Sequence, residues 1–259
     1  MKKTGTFSLG MFTLVIVFLY LPLLILIVYS FNQSRMMNWS GFSLRWYEDL
    51  FFRSETLWQS FGNSLIIALS SATLATAIGT LGAIGLYWYS FRFKRVIQLA
   101  SFMPLMLPEI IIGVSLLIFF AGLHFKLSLF TIFLAHTTFN IPFVLLVVMA
   151  RLEEFDFSII EAAYDLGARE IQALLKIILP IALPGVFAGF LLAVTLSLED
   201  FVITFFVSGP GSSTLPLHVY SMIRFGVSPV INALSVVVIA GTVVLAVLSR
   251  NVVKYLFQK

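Results

Sequence analysis

The sequence predicts an all-α polytopic membrane protein with six transmembrane helices and both termini on the cytoplasmic side. Three observations lead there. Of 259 residues, 60% are hydrophobic and only 11% charged, with a mean hydropathy of +1.04, whereas a soluble domain is about a quarter charged. Apolar stretches recur along the chain, each near the ~20 residues that a helix needs to cross hydrocarbon. Basic residues gather on alternate connections between them.

The first stretch, Leu9–Phe31, follows Lys2 and Lys3 as a signal peptide would. It is longer than a signal core, and no alanine precedes Ala68 to form a cleavage site, so a retained first span is expected. Asn32 to Gly62 reads as a polar outer segment whose Trp39, Trp46, Tyr47 and Trp58 suit a membrane–water interface. Further spans are expected at about Leu65–Tyr89, Ile97–Leu123, Leu127–Ala150, Leu183–Val207 and Val230–Val247, with Ser228-Pro229 as cap and first turn of the last. Together they form a single transmembrane domain over residues 1–259, interrupted by a polar loop at 151–182. Gly79, Gly82 and Gly85 recur on one span, and Gly185 and Gly189 form a G-x-x-x-G on another, patterns that let helix backbones approach closely. Pro104, Pro108, Pro142 and Pro184 are expected to kink their helices.

Lys2, Lys3, Arg92, Lys94, Arg95, Arg151, Arg169, Lys176, Arg250, Lys254 and Lys259 fall on one side of this layout. Arg35, Arg45, Arg53, Lys126 and Arg224 fall on the other, partly offset by Glu48, Asp49 and Glu55. The excess of lysine and arginine marks the cytoplasmic side. Net charge +4 and a pI near 9.4 therefore speak to orientation in lipid, and no nucleic-acid partner is expected.

Several function classes are excluded. The chain has no cysteine, so thiolate metal sites, disulfides and cysteine nucleophiles are ruled out. It contains no P-loop, H-E-x-x-H or G-x-S-x-G, and it is too small to add a nucleotide-hydrolysing domain to its spans. No catalytic residue, cofactor or metal is expected. An intramembrane enzyme would need a nucleophile–base or ligand set, and the spans offer only His136. His136 and Asn140, spaced i, i+4, are expected to make interhelical hydrogen bonds.

Glu109, Glu199 and Asp200 are carboxylates inside predicted spans, followed by Phe201, Phe205 and Phe206. A charge at bilayer depth costs at least ~2.5 kcal/mol, so such groups face a cavity or a partner. Carboxylates beside aromatic faces suit a cation. Two other readings stay open: Glu109 as a helix-dipole partner in the first turn after Pro108, and Glu199–Asp200 as a helix end in water.

The polar loop has its own local signals. Ser158 and Glu161 fit a capping box, so a helix is expected from Ile159. Gly167 can end it in the left-handed conformation. Ile171, Leu174, Leu175 and Ile178 then share a helical face, which Pro180 is expected to close.

This loop, EAAYDLGAREIQALLKIILP at Glu161–Pro180, resembles the EAA loop of ABC importer permeases, EAA-x3-G-x9-I-x-LP, at every fixed position. A membrane scaffold would not need that pattern. Tyr20–Ser34, Gly41–Leu50, Leu107–Leu117 and Ser197–Ser235 extend the likeness to the second permease subunit of spermidine/putrescine importers. Glu199 departs from it, standing where a second aspartate is expected.

The resemblance implies the type I importer permease fold in a bacterial inner membrane. Its partners would be a second permease subunit forming a heterodimer, a cytoplasmic ABC ATPase dimer and a periplasmic polyamine-binding protein, with membrane lipid around the spans. ATP hydrolysis would lie on the separate ATPase. Glu161, Ala162, Ala163 and Gly167 would couple to it through the cytoplasmic loop, and Glu109, Glu199, Asp200, Phe201 and Phe205 would line the path for a polyamine. The acidic pair alone fits another cationic cargo as well, iron or an organic cation.

Overall fold

The computed structural model describes residues 6–35, 38–154, 156, 158–224 and 229–257. They fall into two units, one drawn from residues 1–56 and 219–259 and the other from 57–218.

In the first unit, helix α1 (Thr6–Ser30) carries Pro22 inside it and exposes its large apolar side chains on all sides, as suits lipid. It ends where Asn32 and Phe42 form an isolated antiparallel bridge. A short helix α2 (Arg45–Glu48) and a π-helical turn (Asp49–Arg53) follow. Trp46, expected at the membrane interface, is instead buried. Its indole N–H donates to the Asn32 carbonyl at 2.6 Å, which fixes the ring against its own loop. The last helix, α12 (Val230–Phe257), packs on α1 and α2. The Pro229 carbonyl accepts from the N–H groups of Asn232 and Ala233, while Ser228 lies outside the described residues.

The second unit positions the site. Helix α3 (Glu55–Trp88) starts ten residues before the expected Leu65. Its early turns are polar in sequence, and part of that polarity is buried: Ser60, Asn63 and Ser64 face the interior. Asn63 donates to the Ser213 carbonyl at 2.9 Å, and the Ser64 hydroxyl accepts from the Leu215 N–H at 2.8 Å. The span expected at Ile97–Leu123 is not one kinked helix but two, α4 (Lys94–Met106) and α5 (Glu109–Gly122), set 109° apart. Pro108 forbids the helical conformation at Leu107, which is extended with ψ 142°. Pro104 and Pro142 stay inside α4 and α6 (Leu129–Glu153).

The loop helix α7 (Ser158–Asp165) begins one residue earlier than expected, and Asp156 rather than Ser158 supplies its side-chain acceptor, taking the Ser158 N–H at 3.0 Å. That bond draws the Asp156 carboxyl below its usual pKa. Pro180 does not close the next helix. Helix α8 (Glu170–Ala173), a π-helical turn (Leu174–Ile178) and α9 (Leu179–Glu199) run on as one helix of 30 residues. The Leu179 N–H bonds to the Leu174 carbonyl, five residues back, and this wide turn absorbs the missing donor and ring of Pro180.

The span expected to end at Val207 breaks at Asp200, after which α10 (Val202–Val207) and α11 (Leu215–Arg224) follow. Helices α3 and α9 both close on α6 through glycines. A Cβ on Gly79 would lie 2.9 Å from Val144, and one on Gly185 would lie 2.7 Å from Cβ of Arg151. Val144, Val148 and Leu152 of α6 form the buried seam between them.

Among the described residues, four helices are long and apolar enough to cross a membrane, five if the bent α4–α5 pair is one span. Helix α12 adds a shorter apolar stretch, Val230–Val244.

Candidate functional site: an acidic cavity and a glycine-closed loop

The breaks before α5 and after α9 bring carboxylates together. Glu109 opens α5, Glu199 closes α9 and Asp200 follows it, and all three line one cavity of about 260 Å³ with Phe139, Leu196, Phe201 and Val202. Glu109 and Glu199 are exposed and accept no hydrogen bond among the described residues. Asp200 is different, with only 7% exposure. Its carboxylate accepts from the N–H groups of Ile203 and Thr204 at 3.2 and 2.8 Å, and from the Thr204 hydroxyl at 2.8 Å. His136 Nε2 lies 3.1 Å from the same carboxylate and 2.9 Å from the Thr204 hydroxyl, while its Nδ1 meets the Ser197 hydroxyl at 2.7 Å. Three unpaired carboxylates would repel one another, so drawing Asp200 into the wall makes the cavity tolerable as well as acidic.

The second arrangement is the loop from α7 to α8. Gly167 has φ +83°, the left-handed conformation expected of it. The Ala168 N–H reaches the Ala163 carbonyl and the Gly167 N–H the Tyr164 carbonyl, both at 2.9 Å, which closes α7 in a Schellman motif. Glu161 and Ala162 are exposed on α7, and Ile160 anchors that helix to the core. Tyr89 donates to Glu170 at 2.6 Å, tying the start of α8 to the end of α3.

Residues 75–259, holding both the cavity and the loop, match the family model described as the binding-protein-dependent transport system inner membrane component. The chain belongs to this family. Its relatives include the spermidine/putrescine transport system permease protein PotC of Escherichia coli strain K12, 43% identical over 95% of this chain and 93% of that one. The putrescine transport system permease protein PotI of the same strain is 43% identical over 86% and 82%. The spermidine/putrescine permease PotC of Haemophilus influenzae is 44% identical over 92% of each.

Among solved structures, the bacterial ABC transporter that imports the acidic polysaccharide alginate aligns with a TM-score of 0.73. The identity is 17%, over 97% of this chain and 98% of that one. The inward-facing methionine transporter MetNI aligns at 0.60 with 18% identity, over 78% and 94%. These give the permease the type I ABC importer fold. It is a multi-pass inner-membrane protein and a transport component, not an enzyme.

Within this permease, four of the five path residues expected from sequence meet at the cavity: Glu109, Glu199, Asp200 and Phe201. Phe205 does not line it but packs against Phe201 and Phe206, with centroids 5.7 and 5.3 Å away. Sequence reasoning missed Phe139, Thr204 and Ser197. His136 makes the expected interhelical bonds, whereas both amide atoms of the fully buried Asn140 find no partner among the described residues.

Proposed function

We propose that the chain is the permease subunit of an ATP-driven polyamine importer, forming half of the translocation path for spermidine or putrescine. The observation that carries this reading is the convergence of Glu109 and Glu199 with Phe139 and Phe201 on one cavity. Carboxylates pair with ammonium groups and aromatic rings attract them through their π-faces, while the methylene chain between the amines packs on Leu196 and Val202. The same fold carries an acidic polysaccharide in the alginate importer, so the fold does not set the charge of the cargo; the side chains do. The names of PotC and PotI support the same substrate class.

In this reading the single domain has both termini and residues 151–182 in the cytoplasm. A second permease subunit completes the path, a cytoplasmic ABC ATPase dimer grips α7, and a periplasmic polyamine-binding protein delivers the cargo. Glu161, Ala162 and Ala163 form the gripped face, and Gly167 holds it at the required angle. Closure of the ATPases moves this loop and re-faces the cavity.

Radiolabelled spermidine uptake, normalised to assembled complex, tests the cargo assignment. The pair Glu109→Gln and Glu199→Gln keeps side-chain shape but removes both exposed charges. Losing two charge-assisted contacts worth about 1.5–3 kcal/mol each should cut uptake at least about tenfold. Uptake within about twofold of the parent, as for an ordinary surface substitution, would overturn the assignment.

A further inference from the structure

We infer that His136 is the positioning residue of the acidic site: backed by Ser197, it takes up the Asp200 carboxylate, so that Asp200 fastens the break between α9 and α10 while the cargo meets Glu109 and Glu199. The inference rests on the cargo reading above for its second half only.

Asp200 is held by four donors: Oδ2 accepts from the Thr204 N–H, the Thr204 hydroxyl and His136 Nε2, and Oδ1 accepts from the Ile203 N–H. Its side chain is 4% exposed. The neighbouring Glu199 is exposed, with no hydrogen bond among the described residues. Both carboxylates border the cavity, but Asp200 is drawn into its wall by hydrogen bonds while Glu199 stands exposed.

The hydrogen-bond network also places a hydrogen on Nε2: Thr204 spends its hydroxyl proton on Asp200, so Nε2 faces two acceptors. On the other side of the ring Nδ1 meets the Ser197 hydroxyl at 2.7 Å, and Ser71 lies 3.4 Å beyond it. Side chains from α3, α9, α6 and α10 thus form one chain behind the Asp200 carboxylate.

The break itself needs such a fastening. Glu199, Asp200 and Phe201 include neither glycine nor proline, so backbone chemistry alone does not stop α9 there. Asp200, with ψ 121°, leaves the helix and caps α10 from its side chain. His136 then ties that cap to α6.

The test exploits a difference between capping and charge. Asparagine caps a helix about as well as aspartate and alanine does not, whereas both abolish charge. Maximal spermidine uptake is measured in proteoliposomes containing the whole importer with its binding protein, per assembled complex. Asp200→Asn should stay within about threefold of the parent and Asp200→Ala should fall at least about tenfold, the order expected of a cap. Glu199→Gln and Glu199→Ala should fall alike, because there only charge matters. His136→Gln should fall at least about fivefold, and adding Asp200→Ala to it should cost little more, because the two act as one unit.

Equal losses in Asp200→Asn and Asp200→Ala would place the Asp200 charge on the cargo and overturn the inference. Additive losses for His136 and Asp200 would also overturn it. If Asp200→Ala does not assemble, the Asp200→Asn result decides alone. Normal uptake in the Glu199 variants refutes the cargo reading and leaves the cap contrast standing.

Discussion

Replacing Gly167 separates backbone strain from steric contact in the loop between α7 and α8, the loop proposed to couple to the ATPase. A Cβ built there meets nothing within 4 Å, so the chain itself has room for any side chain. What it lacks is a comfortable φ: at +83° an L-residue pays about 1–2 kcal/mol for left-handed backbone. Asparagine is tolerated there best, alanine bears the full cost, and β-branched valine exceeds it. A change of one to two kcal/mol shifts an equilibrium by about 5- to 30-fold. Gly167→Asn should therefore retain most ATPase co-purification and coupled uptake. Gly167→Ala should lose about 5- to 30-fold of the correctly turned loop, and Gly167→Val more, while all three insert in the membrane. Equal performance of asparagine and valine would refute the conformational argument. If asparagine failed as badly as valine, bulk against the partner would be the cause instead of φ.

Two further outcomes are expected. Gly79→Ala should destabilise the purified protein by about 1–3 kcal/mol through overpacking against Val144, whereas Gly85→Ala, inside α3 with nothing within 4 Å of its Cβ, should stabilise it by up to about 1 kcal/mol because alanine is the better helix former; thermal unfolding in detergent measures both, and equal shifts would contradict the packing seam. In this cysteine-free chain, a cysteine at Ser43 should react with an impermeant thiol reagent in cells whose outer membrane is permeable. One at Gln172 should react only after the inner membrane is opened, and labelling of position 172 in intact cells would overturn the proposed orientation.

The parts of this molecule that were legible in sequence are those with local signals. Apolar runs announced the long helices, and the spacing from Glu161 to Pro180 announced the loop with its left-handed Gly167. Window hydropathy could not find the early turns of α3, because Asn63 and Ser64 are polar yet buried against Ser213 and Leu215. It also ran straight across Asp200, since Phe201–Val207 is as apolar as the helix before it. The Asp200 cap uses donors three and four residues on, and its histidine comes from 64 residues away, a distance no periodicity reports. Pro180 misled for the opposite reason: its local rule is sound, but a π-helical turn one residue upstream satisfies it without ending the helix.

That uninterrupted run from Glu170 to Glu199 has a mechanical consequence. Its 30 residues, at about 1.5 Å each, make a pushrod roughly 45 Å long. One end is pinned to the glycine-closed loop by four residues of chain, and the other carries Glu199 into the acidic cavity. Tilting such a rod by about 10° around its middle sweeps each end through roughly 4 Å, on the scale of an ion-pair contact. Had Pro180 cut the rod, a displacement at the loop would have been lost at the joint; because the wide turn spans it, a single element joins the two places that the proposed transport cycle must move together.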